Sequence, residues 1–476
     1  MYTIQNYIDG RFQNAINSKS MESLNPATEG AIATLPNSDY RDVQNAVESA
    51  EQAFQNWSQT TPSYRSKFLH AIADGIEKKF DAFALAETED TGKPLWLSKK
   101  VDIPRAIANF RFFADHILTI KDFSVQKDEK ATSLITRHPV GVAALITPWN
   151  LPLYLLTWKI APALACGNTV VCKPSEVTPV TAFLLSQLMD EIGLPKGVCN
   201  MVFGTGQDVG EFLVAHPKVR LVSFTGGTQT GRAIEKAIAG SFKKTSMELG
   251  GKNPIVVDQD ADIDQTVEWV IKASFMNQGQ ICLCGERIFV HQKIFEMFLE
   301  KFIKETKKLT VGDPMIEQSF MGPLVSKMHF DKVKNSIALR IKEGARLVAG
   351  DENIEHEKGY YLRPTILTGL TKDNACHVDE IFGPVVTVEP FETIEEVTRI
   401  INESPYGLCA AVFSKDQKRA QEVAKKIQAA TVWINCWLVR DLRVPFGGVK
   451  NSGLGREGGD YSVDFYTEYQ TICTGT

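Results

Sequence analysis

Short apolar runs alternate with helical stretches from residue 140 onward, and this alternation constrains the fold more than any other feature of the sequence. Strands are predicted over residues 141–146, 169–172, 198–203 and 221–224. Helices are predicted over residues 154–165, 178–192, 209–215 and 231–239. Strands that alternate with helices of this length are typical of βαβ units. The sequence therefore predicts an α/β fold with a parallel, doubly wound sheet, which binds ligands at the carboxyl ends of its strands.

A second series of the same kind follows the first. It predicts strands over residues 255–257, 288–290 and 432–435, with helices over 262–276 and 294–307. A chain of 476 residues is too long for one ordinary domain, so we interpret this series as a second α/β domain. The boundary is predicted near residues 248–252, where an apolar strand ends in two glycines.

Three local signals lie outside these two series. The pair Asp9-Gly10 between short alternating segments predicts a tight hairpin. Ser38 is the predicted N-cap of an amphipathic helix whose apolar positions run from residue 43 to 57. Residues 463–473 alternate like an exposed strand, which predicts a tail that completes the sheet of a neighbouring subunit.

The charge pattern and the apolar runs exclude several classes of partner. The net charge is −5 and no block of basic residues could neutralise a phosphate backbone, so no nucleic-acid partner is expected. The first residues are polar and lack the features of a secretory signal. The most apolar stretch, residues 140–171, is interrupted by Pro148, Pro152 and Pro162, so no membrane span is expected.

The cysteines indicate a reducing compartment. There are nine, an odd number, at positions without a disulfide pattern, and we therefore expect free thiols and a cytoplasmic location. Cys282 and Cys284 form a lone C-x-C with no second pair and no histidine nearby, so no metal site is predicted.

Individual residues suggest chemistry without establishing it. No G-x-G-x-x-G occurs at a strand-to-helix turn, but Gly226 and Gly227 lie where backbone donors would face an anion, unless the turn is only a tight turn. Cys282 is either a thiolate nucleophile or a buried structural thiol. Glu248 is either a functional acid or an ordinary ion-paired side chain. Asn150 either contacts a bound ligand or is a turn residue.

Taken together, these residues resemble the aldehyde dehydrogenase superfamily across nearly the whole chain. Seven segments match in order: Pro148-Trp149-Asn150, Lys173-Pro174-Ser175-Glu176, Phe224-Thr225-Gly226, Glu248-Leu249-Gly250-Gly251-Lys252, Gly279-Gln280-Ile281-Cys282, Glu380-Ile381-Phe382-Gly383-Pro384 and Pro445-Phe446-Gly447-Gly448.

The resemblance implies the aldehyde dehydrogenase fold, with three parts. These are a Rossmann-like NAD-binding domain over residues 1–118 and 139–248, an α/β catalytic domain over 249–450, and a small β oligomerisation segment over 119–138 and 458–476. It also implies a homodimer or homotetramer, and a coenzyme turn that lacks the usual glycine fingerprint.

Carried over residue by residue, the resemblance also implies a mechanism. Cys282 is the expected nucleophile, and Asn150 with the backbone N–H of Cys282 is the expected oxyanion hole. The product of hydride transfer is a thioester, and Glu248 is the expected base for the water that hydrolyses it.

The same resemblance implies which residues bind NAD. Lys173 and Glu176 match the residues that hold the adenosine ribose, and Glu380 and Phe382 those that hold the nicotinamide ribose. Because a carboxylate at the ribose repels a phosphate, Glu176 favours NAD over NADP. The alternative for Lys173 and Glu176 is an exposed pair at a helix start. The other expected cofactor residues are Thr147, Trp149, Ser175, Gly206, Phe224, Thr225, Gly226, Gly227, Leu249 and Gly250.

Within the superfamily, the chain is most similar to the branch that oxidises 2-aminomuconate or 2-hydroxymuconate 6-semialdehyde. The similarity rests on residues 102–105, 149–153 and 435–443. Because these substrates carry a carboxylate remote from the aldehyde, Arg105 and Arg440 are predicted to clamp it. Asn150, Leu153 and Trp158 are the other predicted substrate residues.

Alternatives remain at the sequence level. Arg105 would pair instead with Asp102, and Arg440 with Asp441, if neither arginine contacts substrate. Arg443 is a further candidate for the substrate site. Betaine aldehyde or a general aliphatic or aromatic aldehyde is the alternative substrate. A CoA-acylating enzyme is disfavoured because it has no use for a base such as Glu248, and the intact set of expected catalytic residues argues against a protein that has lost activity.

Overall fold

The computed structural model describes residues 1–127, 129–350, 354, 357–370 and 374–475. Its first large sheet has eight strands, of which the middle five are parallel. From edge to edge the strands are Gly453–Leu454, Lys244–Glu248, Val219–Thr225, Val142–Ile146, Thr169–Lys173, Cys199–Met201, Asn6–Ile8 and Arg11–Gln13. The last two form the hairpin that Asp9-Gly10 predicts.

The strand order of this sheet creates a crevice. The chain runs from Val142–Ile146 towards one edge, then returns to place Val219–Thr225 on the other side of the same strand. The carboxyl ends of these two neighbouring strands therefore form a topological switch point, where open α/β sheets bind ligands. Residues 147–150 and 226–227 follow these two strand ends directly.

Helices cover both faces of the first sheet, and π-turns at Ser98–Asp102 and Gly206–Gly210 interrupt them. The helices are Tyr40–Trp57, Pro62–Lys78, Phe80–Thr91, Leu95–Leu97, Ile103–His116, Pro152–Ala165, Val180–Glu191, Glu211–Ala215 and Thr228–Ile238. The prediction that Ser38 is the N-cap of the first helix is wrong. Asp39 caps the first helix through a capping box with Asp42, while the Ser38 hydroxyl is buried and accepts a 2.7 Å hydrogen bond from Asn6.

The second large sheet has seven strands, and only its first pair is antiparallel. In order they are Arg346–Ala349, Thr365–Thr368, Val385–Phe391, Gly285–His291, Asn253–Val257, Cys409–Phe413 and Thr431–Ile434. The longer helices beside it are Ile263–Phe275, Phe295–Thr306, Lys327–Lys342, Ile394–Asn402 and Gln417–Lys426. Two apolar clusters fill its faces.

The chain passes from the first sheet to the second through a short turn. Strand Lys244–Glu248 ends at the carboxyl edge of the first sheet, and Asn253–Val257 begins at the amino edge of the second. The predicted boundary at residues 248–252 falls in this turn. Residues 282–284, which precede strand Gly285–His291, lie at that same amino edge.

A third, antiparallel sheet, here called the tail sheet, contains strands Phe123–Lys127, Ala131–Pro139 and Thr467–Gly475. The predicted strand over 463–473 is wrong for its first four residues, because Gly459–Tyr466 is a helix whose Val463 and Tyr466 pack into the first core.

Smaller strands complete the fold: Tyr2–Thr3, Ala31–Pro36 and Ser20–Leu24 form one sheet, and Tyr406–Gly407 pairs with Val449–Lys450. The exact domain limits stay a prediction, and positions 128 and 476 of the predicted oligomerisation segment lie outside the described residues. Across the part of the chain that the structure describes, no helix is both long and apolar enough to cross a bilayer.

Candidate active site

The loop that carries Cys282 is fixed by an unusual run of left-handed residues. Asn277, Gln278 and Gly279 have φ values of 53°, 57° and 69°. A Cβ on Gly279 would lie 2.2 Å from the carbonyl oxygen of Gly383, so only glycine fits this close approach. The Asn277 amide donates to the carbonyls of Asn150 and Gln280, both at 3.2 Å. The loop is thereby tied to the end of strand Val142–Ile146.

Asn150 lies beside this loop. Its buried side-chain amide donates a 2.9 Å hydrogen bond to the carbonyl of Gln280, two residues before Cys282. A carboxamide has two N–H donors, so one remains for a ligand. On the opposite side of Cys282, the Asn253 amide donates to the carbonyls of Cys282 and Cys284 at 2.7 and 2.9 Å. The nucleophile candidate is therefore held by side chains from both domains.

A cavity opens beside Cys282 and, with its mouth, encloses about 640 Å³. Its walls are mostly apolar. The polar and charged residues in its lining are Asp102, Thr225, Glu248, Cys282, Arg440 and Glu457. Such a cavity, apolar with a few convergent polar groups, is the usual form of a small-molecule site.

Of the predicted substrate residues on this helix, Trp158 lines the cavity and Leu153 does not. Leu151, Tyr154, Leu155 and Trp158 share one face of helix Pro152–Ala165 because they recur at helical spacing. Leu153 points away from that face and is fully buried in the core of the first domain.

Arg440 and Arg105 meet at one tyrosine. The Arg440 guanidinium donates a 3.1 Å hydrogen bond to the Tyr154 hydroxyl and lies 3.7 Å from the centroid of the Phe446 ring. The Arg105 guanidinium lies 5.4 Å from the centroid of the Tyr154 ring. Arg105 itself is not part of the cavity lining and contacts it through Tyr154.

The alternative ion pairs predicted from the sequence are wrong. Asp102 pairs with Lys93 at 3.0 Å, and Asp441 is bonded by both the Nε and Nη2 atoms of Arg443. Arg443 itself is mostly exposed and lies on the protein surface outside the cavity lining. Neither Arg105 nor Arg440 forms an ion pair with a carboxylate of a described residue.

Glu248 ends its strand inside the cavity. Its Oε1 atom is buried and has no hydrogen-bond partner among the described residues. Burial, and secondly the negative charge of Glu457, raises the pKa of Glu248 well above its usual value.

A buried network of hydrogen bonds around Glu457, which the sequence analysis missed, influences the pKa of Glu248. Glu457 accepts hydrogen bonds from Lys159 Nζ at 2.8 Å and Trp158 Nε1 at 2.6 Å, and lies 3.3 Å from the Ser223 hydroxyl. The one available signal was Lys159, a charged residue inside an otherwise apolar helix. Its partner is 298 residues away in the sequence, so no local pattern reveals the pair.

The thiol of Cys282 is also electrostatically shifted. Burial raises the pKa of Cys282 to about 12, and the negative charges of Glu380 and Glu248 act in the same direction. The resting group is therefore the neutral thiol. Its proton must leave before the sulfur attacks a carbonyl.

The crevice at the switch point fits a dinucleotide. The Thr147 hydroxyl is buried without a partner among the described residues. Helix Thr228–Ile238 begins at Gly227 with no side-chain cap, and a Cβ on Gly227 or Gly206 would meet open space. Free N–H groups at such a helix start suit a pyrophosphate.

Lys173 and Glu176 lie at the next strand end. Lys173 is buried and its Nζ atom lies 2.7 Å from Glu176, whose side chain is 32% exposed. The alternative of an exposed pair is therefore wrong for Lys173. Ser175 is buried, and its hydroxyl accepts a bond from the Val177 N–H at 3.2 Å. Two oxygen-bearing side chains and one ammonium thus lie together at this strand end.

The second group of predicted coenzyme residues gathers around Trp149. The Trp149 ring is perpendicular to that of Phe382 at 5.4 Å, and Phe382 has a left-handed φ of 62°. His329, which the sequence analysis missed, lies 2.7 Å from the Phe382 carbonyl oxygen. Burial lowers the pKa of His329 to about 4, so it is neutral and donates this bond.

Glu380 is held against the turn between the two domains. Its carboxylate accepts a 3.0 Å bond from the Gly251 N–H, and a Cβ on Gly250 would lie 2.2 Å from it. In the same region the Gly226 N–H donates to the Glu248 carbonyl at 3.0 Å, and a Cβ on Gly231 would strike Leu249. Phe224 and Thr225 end the neighbouring strand and are buried.

A dinucleotide crevice beside a half-buried cysteine, an amide and a glutamate defines a class of oxidoreductases that work through a thiol. The model of the Aldehyde dehydrogenase family matches residues 12–472, and the chain belongs to this family, whose members oxidise aldehydes with NAD. Within the described ranges, no group of three or more His, Cys, Asp or Glu side chains is placed to hold a metal ion.

Curated relatives and solved structures match over almost the full length. The chain is 46% identical to the 2-aminomuconic semialdehyde dehydrogenase of Homo sapiens, over 98% of this chain and 97% of that protein. It is 42% identical to the 2-hydroxymuconic semialdehyde dehydrogenase of Pseudomonas sp. (strain CF600), over 99% of both. The NAD+ complex of an aldehyde dehydrogenase from Bacillus cereus has a TM-score of 0.97 at 38% identity, over 99% of this chain and 96% of that one.

Proposed function

We propose that this protein oxidises 2-aminomuconate or 2-hydroxymuconate 6-semialdehyde to the dicarboxylic acid. The observation that carries the proposal is the Arg440 guanidinium, which lines the cavity and forms no ion pair with a carboxylate of a described residue. A guanidinium in an apolar cavity keeps its charge and favours a carboxylate ligand. The names of two relatives at 46% and 42% identity agree with this substrate class.

The aromatic side chains around Arg440 suit a planar, conjugated substrate. Phe446 stacks against the guanidinium at 3.7 Å and Trp158 lies at 5.7 Å, so the side chain has little freedom to move. Arg105 adds a second positive charge on the far side of Tyr154. A carboxylate bound here orients the chain of the substrate along the cavity towards Cys282.

The chemistry follows from the groups at the other end. Cys282 releases its proton to solvent water and its sulfur attacks the aldehyde carbon, and the oxyanion accepts hydrogen bonds from the Asn150 amide and the Cys282 N–H. NAD, when bound, accepts the hydride. Glu248 then takes a proton from water, which hydrolyses the thioester. Burial, and secondly the negative charge of Glu457, raises the pKa of Glu248, which makes Glu248 a stronger base once it is ionised.

For the coenzyme, we propose that Lys173 and Glu176 hold the adenosine ribose, and Glu380 and Phe382 the nicotinamide ribose. The support is their position around the switch point together with the orphan Thr147 hydroxyl and the uncapped helix start at Gly227. The partly exposed Glu176 carboxylate disfavours a 2′-phosphate and therefore NADP.

The test is steady-state kinetics with 2-hydroxymuconate 6-semialdehyde and a neutral aldehyde, on the wild type and Arg440→Ala. We expect kcat/KM to fall about 30-fold or more on the semialdehyde only, as for removal of a buried charge partner. Arg443→Ala, which removes an exposed arginine three residues on, is the control and should change neither value. Equal losses on both substrates would rule out the clamp, and a wild type that prefers betaine aldehyde or another aldehyde without a carboxylate would rule out the substrate.

We also propose that the tail sheet joins subunits into a homodimer or homotetramer. Phe123, Val125, Leu134, Tyr469 and Ile472 are all more than a third exposed on this sheet, which is a large apolar surface for a free monomer. Light scattering coupled to size exclusion tests this, and a mass of 52.8 kDa at micromolar concentration would contradict it.

A further inference from the structure

A fully buried ionic cluster lies behind the wall of the cavity. Lys93 Nζ lies 3.0 Å from Asp102 and 3.3 Å from Glu87, and all three side chains are 0% exposed. One ammonium is therefore placed between two carboxylates. A single carboxylate is enough to pair a buried lysine, so the second carboxylate calls for a separate explanation.

The two carboxylates differ in their surroundings. Glu87 uses its Oε1 for Lys93, and its Oε2 accepts a bond of 3.4 Å from the backbone N–H of Leu153. Asp102 uses its Oδ1 for Lys93, but its Oδ2 is buried and has no hydrogen-bond partner among the described residues. A buried oxygen without a donor is unfavourable unless a ligand supplies one.

Only one of them reaches the cavity. Asp102 is part of the same lining as Cys282 and Arg440, whereas Glu87 is not. Asp102 ends the π-turn Ser98–Asp102, and such turns are frequent at functional sites. Arg105 follows three residues later, at the spacing that puts two side chains on one face of a helix. Asp102, with its unpaired acceptor oxygen, therefore lines the same cavity as Arg440 of the proposed carboxylate clamp.

We propose that Asp102 determines specificity by accepting a hydrogen bond from an amino or hydroxyl group on the carbon next to the remote carboxylate of the substrate. The inference rests on the proposed function, because that carboxylate must lie at Arg440. The donor atom is two bonds away from the carboxylate carbon, so a substrate whose carboxylate lies at Arg440 brings this donor into the cavity that Asp102 also lines. A diacid semialdehyde without this donor leaves the Asp102 oxygen unpaired and binds less well.

The cluster itself offers a matched pair of variants. Asp102→Asn and Glu87→Gln each remove one negative charge next to Lys93 and keep the size of the side chain. Because Lys93 only donates, the amide introduced by Asp102→Asn would turn its oxygen to Lys93 and its NH₂ group towards the cavity. Asp102→Asn therefore replaces the acceptor with a donor, whereas Glu87→Gln changes a carboxylate that the substrate does not reach.

The experiment compares two substrates, 2-hydroxymuconate 6-semialdehyde and muconate 6-semialdehyde, which lacks only the 2-hydroxyl group. We expect the wild type to favour the hydroxylated substrate in kcat/KM by about tenfold or more. Asp102→Asn should reduce this ratio to about one, and Glu87→Gln should leave the ratio unchanged even where it lowers stability or both rates.

The proposal is overturned if the wild type turns over both substrates equally well, or if Glu87→Gln changes the ratio as much as Asp102→Asn. The wild-type ratio of kcat/KM for the two semialdehydes tests the proposal even if a variant fails to fold. The inhibition constants of 2-hydroxymuconate and muconate make the same comparison of the 2-hydroxyl group without catalysis. Failure of the proposed function has a different signature, since a neutral aldehyde would then be preferred over both semialdehydes.

Discussion

Arg440 donates a 3.1 Å hydrogen bond to the hydroxyl group of Tyr154, and the ring of this tyrosine lies 5.4 Å from the Arg105 guanidinium. Tyr154 therefore connects two arginines that are 335 positions apart in the sequence (440 − 105). It also lines the cavity itself, so its hydroxyl group fixes the orientation of the guanidinium that faces the substrate.

Tyr154→Phe removes this hydroxyl group and keeps the ring. We expect kcat/KM for the semialdehyde to fall about tenfold, because a hydrogen bond to a charged group contributes roughly 1.5 kcal/mol or more. Turnover of a neutral aldehyde should stay within a factor of about two. Tyr461→Phe, at a half-exposed tyrosine outside the cavity lining, is the control. An equal loss on both substrates would mean that Tyr154 only supports packing.

The raised pKa of Cys282 predicts how its alkylation depends on pH. With a pKa of about 12, the thiolate fraction increases nearly tenfold per pH unit throughout the neutral and mildly alkaline range. Iodoacetamide labelling of Cys282 in the coenzyme-free enzyme, followed by peptide mass spectrometry, should therefore accelerate from pH 7 to pH 10 without a plateau. A free cysteine peptide, with a pKa of about 8.5, should level off in the same series. A plateau for Cys282 near pH 8 would contradict the buried, neutral thiol.

Glu248→Gln should separate the two halves of the reaction. The variant keeps the shape of the side chain but cannot take a proton from water, so the thioester accumulates. We expect a burst of NADH close to one per active site, followed by turnover about 10² to 10⁴ times slower than in the wild type. Cys282→Ala is the matched control and should show neither burst nor turnover. Normal steady-state turnover of Glu248→Gln, or rescue of its rate by CoA alone, would assign thioester release to another group.

The sequence predicted the order of strands and helices better than it predicted the direction of side chains. Apolar runs report burial, and each strand predicted from such a run overlaps a strand of the two large sheets. Four strands of the second sheet were not predicted: Arg346–Ala349, Thr365–Thr368, Val385–Phe391 and Cys409–Phe413. Leu153 was predicted as a substrate residue from the resemblance, but the helix turns its side chain towards the core. Ser38 is a good N-cap by type, yet Asn6 already engages its hydroxyl. Tertiary contacts direct both side chains, and a local preference does not show them.

The resemblance to a known family pointed to the cysteine, the amide and the glutamate as catalytic candidates. It did not reveal the buried ion pairs beside the cavity. Lys159 with Glu457, and Lys93 with Asp102, are buried ion pairs, and burial of a charge depends on segments that meet only in the folded chain. The pKa of Glu248 and Cys282 likewise follows from the closed cavity and not from the neighbouring sequence.

Coenzyme choice tests the proposed role of Glu176. This carboxylate is 32% exposed and bonded to Lys173 at the carboxyl end of a central strand. A 2′-phosphate placed there would meet a negative charge, and Lys173 would be unavailable to it. Glu176→Gln removes the charge, keeps the length and frees the ammonium, so NADP should bind better while NAD loses a ribose contact. We expect the ratio of kcat/KM for NAD over NADP to fall about tenfold or more, equivalent to about 1.4 kcal/mol.

Glu191→Gln provides the control for this change of charge, because Glu191 is an exposed carboxylate that pairs with Lys79 away from the strand ends. It should leave the coenzyme ratio unaltered. The ratio is the informative quantity, since a general loss of folding lowers both rates together and leaves their quotient in place. A Glu176→Gln enzyme that still discriminates against NADP as strongly as the wild type would show that the ribose lies against another part of the crevice, and the roles of Lys173 and Thr147 would then need reassignment as well.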